Sequence, residues 1–196
     1  MAILGHPVLA RARRQGAWLG HAVLCIACLI ALPASPARAQ SDAPTEHQVK
    51  AAFLYNFAKF VEWPAESFPT PASPLQLCVL GEDPFGPDLK DIVKGKVIGG
   101  HPVRVLNPEN VEQSKNCHIL FVSPSEKART RQIVEGLRDK SVLMVGDHKG
   151  FAEQGGMVNF VLENDRVRFE INVKAAERAR LKISSKLLNV AKLVIV

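Results

Sequence analysis

Two stretches near the end of the chain alternate apolar and polar residues, the pattern of β-strands with one buried face. They are Met157–Glu163 and Arg166–Ile171, separated only by Asn164 and Asp165. Asn and Asp tolerate the positive φ angles of a two-residue turn, so the pattern predicts a tight hairpin. Its register places the apolar pairs Leu162–Val167, Phe160–Phe169 and Val158–Ile171 on one face. The pairs Glu163–Arg166, Val161–Arg168 and Asn159–Glu170 then lie on the other.

Two helices are predicted after the hairpin. Asn172 stands where an N-cap belongs, immediately before Val173–Ala179. A last helix is predicted from about Ser184, because apolar residues recur near helical spacing. These residues are Ile183, Leu187, Ala191 and Val194.

The first helix of the domain is predicted to begin at Thr45–Gln48, which has the capping-box pattern. Apolar residues follow at helical spacing at Val49, Ala52, Phe53, Phe57 and Phe60. Asn56 lies within this stripe, so we expect its amide to hold a neighbouring backbone segment, with a ligand contact as the other reading. Trp63-Pro64 should end the helix, because the residue before a proline is steered out of the helical region.

Short apolar runs between these ends predict four more strands, with helices between them. The strands are Leu75–Leu80, Val97–Leu106, Cys117–Val122 and Ser141–Val145, and the helices are Asp88–Val93 and about Ser125–Arg138. Gly99, Gly100 and Pro102 mark the second of these strands as an edge or bulged strand. The alternation predicts an α/β fold: a mostly parallel sheet with helices on both faces and a C-terminal antiparallel hairpin at one edge.

The beginning of the chain has the pattern of a secretory signal peptide. Arg11, Arg13 and Arg14 precede the apolar run Ala17–Leu32, and Ala37-Arg38-Ala39 has the form of a cleavage site. We therefore expect a signal peptide at 1–39, a single domain at 40–196 and a periplasmic location; a retained N-terminal anchor is the alternative. The leader contains four arginines and no acid, so its removal lowers Lys plus Arg from 25 to 21 against 19 acids. The net charge of +6 becomes +2, which does not indicate a nucleic-acid partner.

Cysteine usage changes with the same cleavage. Cys25 and Cys28 leave with the leader, and only Cys78 and Cys117 remain. An even number of cysteines in an exported protein favours a disulfide, while two buried thiols are the alternative.

Patterns that would indicate catalysis are incomplete. Gly81–Gly86 has the glycine spacing of a phosphate-binding loop, but Pro87-Asp88 replaces the Gly-Lys that such a loop requires. The histidines show no metal-ligand spacing, so no metal and no cofactor are expected. Asp83 and Asp147 follow predicted strands, where α/β enzymes place chemistry, but two isolated acids do not define a reaction. The sequence therefore predicts a protein that is not an enzyme.

Four motifs in order resemble the YfiR-like family of periplasmic regulators. They are Ala51–Pro64, Gly155–Phe160, Arg168–Asn172 and Leu181–Leu188. The resemblance runs from about residue 48 to residue 192, and Cys78 and Cys117 match a family cysteine pair in placement. Some relatives carry a second pair near Gly155–Phe160, which this chain lacks, so any redox switching must depend on Cys78 and Cys117 alone.

The resemblance implies a non-enzymatic repressor. The family's namesake holds an inner-membrane diguanylate cyclase inactive from the periplasmic side, and an outer-membrane lipoprotein sequesters it in turn. The output is cyclic di-GMP and biofilm formation, with the redox state of the disulfide as a second input. Family members also occur beside histidine kinases and outer-membrane receptors, so a ligand-sensing accessory module is the alternative. Homodimers are common among such domains, and we expect one here.

Each reading has its own candidate residues. A repressor should contact its partner through exposed apolar residues near Phe57, Phe60, Trp63 and Phe68. A ligand sensor should build its pocket from Arg168, Glu170 and Asn172.

Overall fold

An eight-stranded β-sheet forms the centre of the part of the chain that the structure describes, residues 43–196. The structure is a computed structural model. The predicted signal peptide and its cleavage site lie outside the described residues. The strands are β1 (Val61–Glu62), β2 (Leu75–Leu80), β3 (Val97–Ile98), β4 (His101–Leu106), β5 (Ile119–Val122), β6 (Leu143–Gly146), β7 (Val158–Glu163), β8 (Arg166–Asn172), β9 (Lys182–Ile183) and β10 (Leu193–Ile195). The helices are α1 (Glu46–Phe60), α2 (Pro87–Val93), α3 (Val111–Ser114), α4 (Thr130–Leu137), α5 (Val173–Arg178) and α6 (Ser185–Leu188), with 3₁₀ turns at Ala65–Ser67 and Pro124–Arg129.

The main sheet is mostly parallel, as predicted. Its strand order is β10-β8-β7-β6-β5-β2-β4-β3. The five strands β4, β2, β5, β6 and β7 run parallel to one another, and β10 runs parallel to β8. The β7–β8 hairpin and the short β3–β4 pair are antiparallel. The predicted α/β class with a C-terminal antiparallel hairpin is confirmed, and β10 extends the sheet by one short strand beyond that hairpin.

Helices cover both faces of this sheet. The chain leaves β2 towards β4 through α2, and it leaves β5 towards β6 through α4, in opposite directions across the sheet. Right-handed crossovers in opposite directions put the two helices on opposite faces. Helix α1 packs against α2 and therefore shares its face. The central strands β5 and β6 are buried at every position, as expected for strands covered on both sides.

The hairpin has the register that the alternation predicts. Phe160 pairs with Phe169, and the five other predicted pairs are also present. Asn164 and Asp165 have φ angles of 49° and 58°, the left-handed values that a two-residue turn of this type needs. Asn172 caps α5, since its Oδ1 accepts the Ala175 N–H at 3.0 Å.

Helix α1 begins as predicted but buries a different face. Thr45 and Gln48 form the capping box, with both reciprocal hydrogen bonds present. The buried side chains of α1 are Lys50, Ala51, Leu54, Phe57 and Ala58. The helix is therefore rotated about its axis by part of a turn relative to the predicted orientation. Asn56 is only half-buried. Its Oδ1 accepts from Lys59 Nζ at 3.2 Å, so the expectation that Asn56 holds a neighbouring backbone segment is wrong. The helix ends at Phe60, three residues before Trp63.

Two other boundaries differ from the sequence-based expectation. The helical segment before α4 is capped by Ser123, and Ser125 lies inside its first 3₁₀ turn. The predicted last helix is a single turn, α6, and Leu193–Ile195 forms β10 instead. The apolar spacing is that of a helix, but an extended conformation lets Leu193–Ile195 pair with β8 at the edge of the sheet.

Candidate binding surface

Phe57, one of the four aromatic residues expected to contact a partner, lies in the core. Its side chain is fully buried. Its ring packs edge-on against Phe169 at 5.1 Å and stacks on Phe160 at 5.8 Å, measured between ring centroids. No partner can reach it, so the prediction that Phe57 belongs to an exposed surface is wrong. The physical reason is that Phe57 lies on the buried face of α1, which packs it onto Phe160 and Phe169 of the hairpin.

The other three aromatic residues, Phe60, Trp63 and Phe68, are half-buried and pack against the edge of the core. A small two-stranded sheet positions them. Strand β1 pairs with β9, and the Ser184 N–H donates to the Phe60 carbonyl at 2.8 Å. Trp63 follows directly after β1, so this pairing fixes where its indole enters the surface.

Trp63 and Phe68 converge on His118, which precedes β5. The Trp63 indole N–H donates to the His118 carbonyl at 3.1 Å, and its ring lies edge-on to the imidazole. Phe68 lies between two imidazoles, stacked on His101 at 3.8 Å and on His118 at 4.4 Å. The sequence indicated Trp63 and Phe68 but not the two histidines, because four separate segments contribute to the cluster.

His118 is buried and uses both ring nitrogens. Its Nδ1 accepts the Gln76 N–H at 3.0 Å, and its Nε2 donates to the Ser67 carbonyl at 3.2 Å. This arrangement requires a neutral ring protonated at Nε2. Burial lowers the pKa of His118 below the ordinary imidazole value; the bond to Ser67 opposes that shift, and the charge of nearby His101 adds to it.

The disulfide lies directly beside this cluster. Cys78 in β2 is bonded to Cys117, the residue before His118, and their α-carbons are 6.0 Å apart. That separation is within the range that a disulfide allows. The predicted pairing is therefore present in the structure, and the cross-link fixes β2 to the start of β5, next to His118.

A cleft of about 470 Å³ adjoins the cluster at the amino-terminal ends of β2 and β5. Ser67, Cys117 and His118 line it, and charged side chains surround its mouth. Glu66 and Arg180 form an ion pair at 2.5 Å there, and each side chain is 61% exposed. We call the exposed parts of Trp63 and Phe68, with Glu66 and Arg180, the aromatic surface.

The three residues proposed for a ligand pocket are not brought together around one of the described cavities. Arg168 is exposed beside a groove of about 300 Å³ that Phe53 and Val190 also line. Asn172 lines a separate cleft of about 370 Å³, but its amide already donates to the Ala152 carbonyl and caps α5. Glu170 is half-buried and lines neither of these cavities.

The two acids that follow predicted strands have structural partners. Asp83 Oδ1 accepts the N–H groups of Phe85 and Gly86, which holds the loop after β2. Asp147 pairs at 2.6 Å with Lys50, which is buried and also bonds Glu46. The hydrogen bond from Lys50 lowers the pKa of Glu46. Sequence analysis missed Lys50, since a lysine in the first turns of a helix is normally read as solvated.

Within residues 43–196, no group of three or more His, Cys, Asp or Glu side chains is arranged to hold a metal ion. The same residues contain no helix long and apolar enough to cross a membrane. The aromatic surface offers apolar area, a charged rim and a cross-linked base, which suit binding. The fold and the cross-link together define a disulfide-bonded α/β domain.

The chain belongs to the YfiR/HmsC-like family. The family's sequence profile matches residues 47–192, which covers most of the described domain and confirms the resemblance in the motifs. Among curated proteins, none matches the sequence at a significant level.

A solved structure with low sequence identity is similar in fold. It is described as the crystal structure of a conserved domain protein from Vibrio cholerae O1 biovar El Tor, with a TM-score of 0.53 and 9% identity. The match covers 76% of this chain and 60% of that one, so this chain spans less than two thirds of that structure's length. A domain from Streptococcus pneumoniae described as the ABC domain in complex with L-Trp has a TM-score of 0.48 and 11% identity, with the same coverage. The second similarity is too low to carry an argument.

Proposed function

We propose that this protein is a non-enzymatic periplasmic regulator that represses an inner-membrane diguanylate cyclase by direct contact. Membership of the YfiR/HmsC-like family is the observation that carries the proposal. The leader pattern at residues 1–39 and the disulfide between Cys78 and Cys117 support a location outside the reducing cytoplasm. Repression would lower cyclic di-GMP and limit biofilm formation, and an outer-membrane lipoprotein would relieve it by sequestering the regulator.

We assign the contact with the cyclase to the aromatic surface. Trp and Phe side chains provide large apolar area, and Trp is enriched among residues that dominate binding energy. Trp63 and Phe68 are half-buried, so each is held in place while part of its ring stays accessible. The exposed charges of Glu66 and Arg180 at the rim would select the partner and orient it. The disulfide ends at Cys117, next to His118, which both rings contact, and would couple the redox state of the periplasm to the shape of this surface.

Deletion of the gene tests the repressor function. Cyclic di-GMP should rise in the deletion strain, and the rise should vanish when the gene of the partner cyclase is deleted as well. An unchanged cyclic di-GMP level in the single deletion contradicts repression. A rise that persists without any membrane cyclase contradicts the proposed route. Under the alternative of a ligand-sensing module for a kinase or receptor, the response of that kinase or receptor would change instead.

A further inference from the structure

Two histidines hold the proline-rich segment of residues 64–74 against the sheet. We call this segment the proline strap. His118 Nε2 donates to the Ser67 carbonyl, and the His101 ring bonds the Ser73 carbonyl at 2.7 Å through Nδ1. Phe68 lies between these imidazoles. The backbone hydrogen bonds of the strap, such as Ser73 N–H to Thr70 O, run within it. Apart from the exposed ion pair between Glu66 and Arg180, its attachment therefore depends on the two histidines and the ring between them.

Protonation affects these histidines differently. His118 must keep Nδ1 unprotonated, because that nitrogen accepts the Gln76 N–H. A proton on Nδ1 would make this nitrogen a donor that faces the Gln76 N–H, another donor. The ring or the start of β2 would then have to move. His101 bonds the Ser73 carbonyl through Nδ1, and it can take a second proton at Nε2 without losing that bond. His118 is therefore the ring that protonation would displace from Gln76, and the strap loses its Nε2 bond to the Ser67 carbonyl only when that displacement moves the ring.

The surroundings of His118 increase this conflict. The ring is buried, and a charge in a buried site lacks the solvation that water provides. The titratable and charged groups around it are His101 on β4, Glu66 on the strap, and Lys115, Asp139, Lys140 and Arg180 around the cleft. Neither exposed carboxylate, Glu66 nor Asp139, bonds the ring, because its nitrogens are taken by Gln76 and Ser67, and Glu66 is itself paired with Arg180.

We propose that the proline strap opens when His118 takes up a proton, because the displaced ring releases the Ser67 carbonyl and the Phe68 ring that stacks on it. The strap is closed while the ring is neutral, because the neutral ring satisfies both Gln76 and Ser67. The inference concerns the aromatic surface but holds whichever partner binds there. A periplasmic protein meets the external pH directly, so such a strap would report acidification without any bound ligand.

The sign of the pH dependence follows from the lowered pKa of His118. A histidine whose pKa is lower in the closed state stabilises that state above the ordinary imidazole value of about 6.5. The stabilisation is lost as the pH falls from that value towards the lower pKa of the closed state. Within this interval, lowering the pH by one unit multiplies the ratio of open to closed strap by about ten.

Hydrogen–deuterium exchange tests the proposal on the exported, disulfide-bonded protein. Exchange of residues 65–74 is compared with that of residues 119–146 at about pH 7.5 and about pH 5.5, after correction for intrinsic rates. In the wild type, protection of the strap should fall at the lower pH, by at most about tenfold, while protection of β5 and β6 stays constant. Equal changes in the two regions, or no change in the strap, would overturn the proposal.

Two matched variants assign the effect to one ring. His118→Asn keeps an oxygen close to the position of Nδ1 and cannot be protonated, so its strap should respond little to pH. His101→Asn should keep the wild-type response. The opposite pattern overturns the assignment to His118.

The wild-type imidazole signals provide a second measurement that does not depend on the folding of a variant. In NMR spectra, the His118 ring should become protonated over the same pH range in which the strap opens, with exposed His47 as the reference. Opening of the strap while His118 is still neutral, or a protonated His118 beneath a protected strap, would each refute the proposal.

Discussion

The tightly packed ring of Phe151 leaves no room for a side chain at two positions, Gly146 at the end of β6 and Gly156 before β7. The ring is fully buried, and a β-carbon at Gly146 would lie 2.2 Å from its Cγ. A β-carbon at Gly156 would lie 2.1 Å from its Cε1. Both distances are far below van der Waals contact. The Gly155-Gly156 pair in one of the family motifs is therefore explained in part by packing.

The Gly146→Ala variant should lower the free energy of unfolding by about 1–3 kcal/mol, because the added methyl group overpacks a full site. Denaturant unfolding measures this loss. Phe151→Leu in the same chain should recover part of it, since the smaller side chain makes room for the methyl group. Purely additive losses in the double variant would mean that Phe151 is not what excludes the β-carbon.

Phe169 and Arg168 are adjacent in β8 but point to opposite faces of the sheet. Phe169 is 2% exposed and packs on Phe57, while Arg168 is exposed. Phe169→Ala should therefore cost about 3–5 kcal/mol of stability, the loss typical of a buried aromatic ring. Arg168→Ala should change stability by less than about 0.5 kcal/mol. Comparable losses measured by thermal unfolding would contradict the register of the hairpin.

At the scale of elements, a buried ion pair joins the first helix to the sheet. Lys50 is 4% exposed, and its ammonium group contacts Asp147 after β6 and Glu46 one turn earlier in α1. The pair therefore ties α1 to the loop that follows β6.

Removal of one partner of this pair should destabilise the protein more than removal of both. Lys50→Met leaves the mostly buried carboxylate of Asp147 without its cation, and Asp147→Leu leaves the ammonium group of Lys50 partly compensated by Glu46. A double-mutant cycle by chemical denaturation should give a coupling energy of about 1–3 kcal/mol. A coupling energy near zero would mean that the contact contributes nothing to the placement of α1.

The elements that the sequence predicts well are those whose signals are local. Asn164 and Asp165 favour the positive φ angles of the turn by their own residue types. The apolar run Leu75–Leu80 predicts a buried strand without reference to any other segment. The buried face of α1 is not local, because two adjacent stripes of the helix contain apolar residues and the true one includes Lys50. Lys50 is accepted on that face because it pairs with the distant Asp147 as well as with Glu46 one turn away. Strand β10 likewise depends on β8, with which it pairs.

The candidate site was predictable as individual residues but not as an arrangement. Trp63, Phe68, Cys78 and Cys117 were identified from the sequence, and the structure places them close to one another. His118 links these residues: its carbonyl accepts the Trp63 indole N–H, its ring stacks on Phe68, and it directly follows Cys117. A histidine within an apolar strand shows no periodic signal, so only the fold reveals that role.

At the scale of the whole molecule, the disulfide joins two neighbouring central strands across 39 positions. The chain-entropy account gives about 4 kcal/mol for a loop of this length. The Cys78→Ala, Cys117→Ala double variant should lose stability of that order, as measured by denaturant unfolding. Alkylation of the unreduced wild-type protein followed by mass measurement should find neither cysteine labelled. Two labelled thiols would contradict the bond in the exported protein.

The aromatic surface offers a charge exchange that separates binding from folding. Exposed ion pairs contribute little to stability, so exchanging Glu66 and Arg180 with each other should leave the melting temperature nearly unchanged. The exchange reverses the charges presented to a partner. The exposed pair Glu163–Lys192 at 2.9 Å near the hairpin turn allows the same exchange as a matched control.

The most direct test of the account is the affinity of the exported, disulfide-bonded protein for the purified periplasmic segment of the partner cyclase. We predict that the wild type and the Glu163→Lys, Lys192→Glu control bind equally well. The Glu66→Arg, Arg180→Glu variant should bind at least about tenfold more weakly, which corresponds to about 1.4 kcal/mol. Binding by all three proteins with one affinity would remove the aromatic surface from the interface. No binding by the wild type would contradict repression by direct contact.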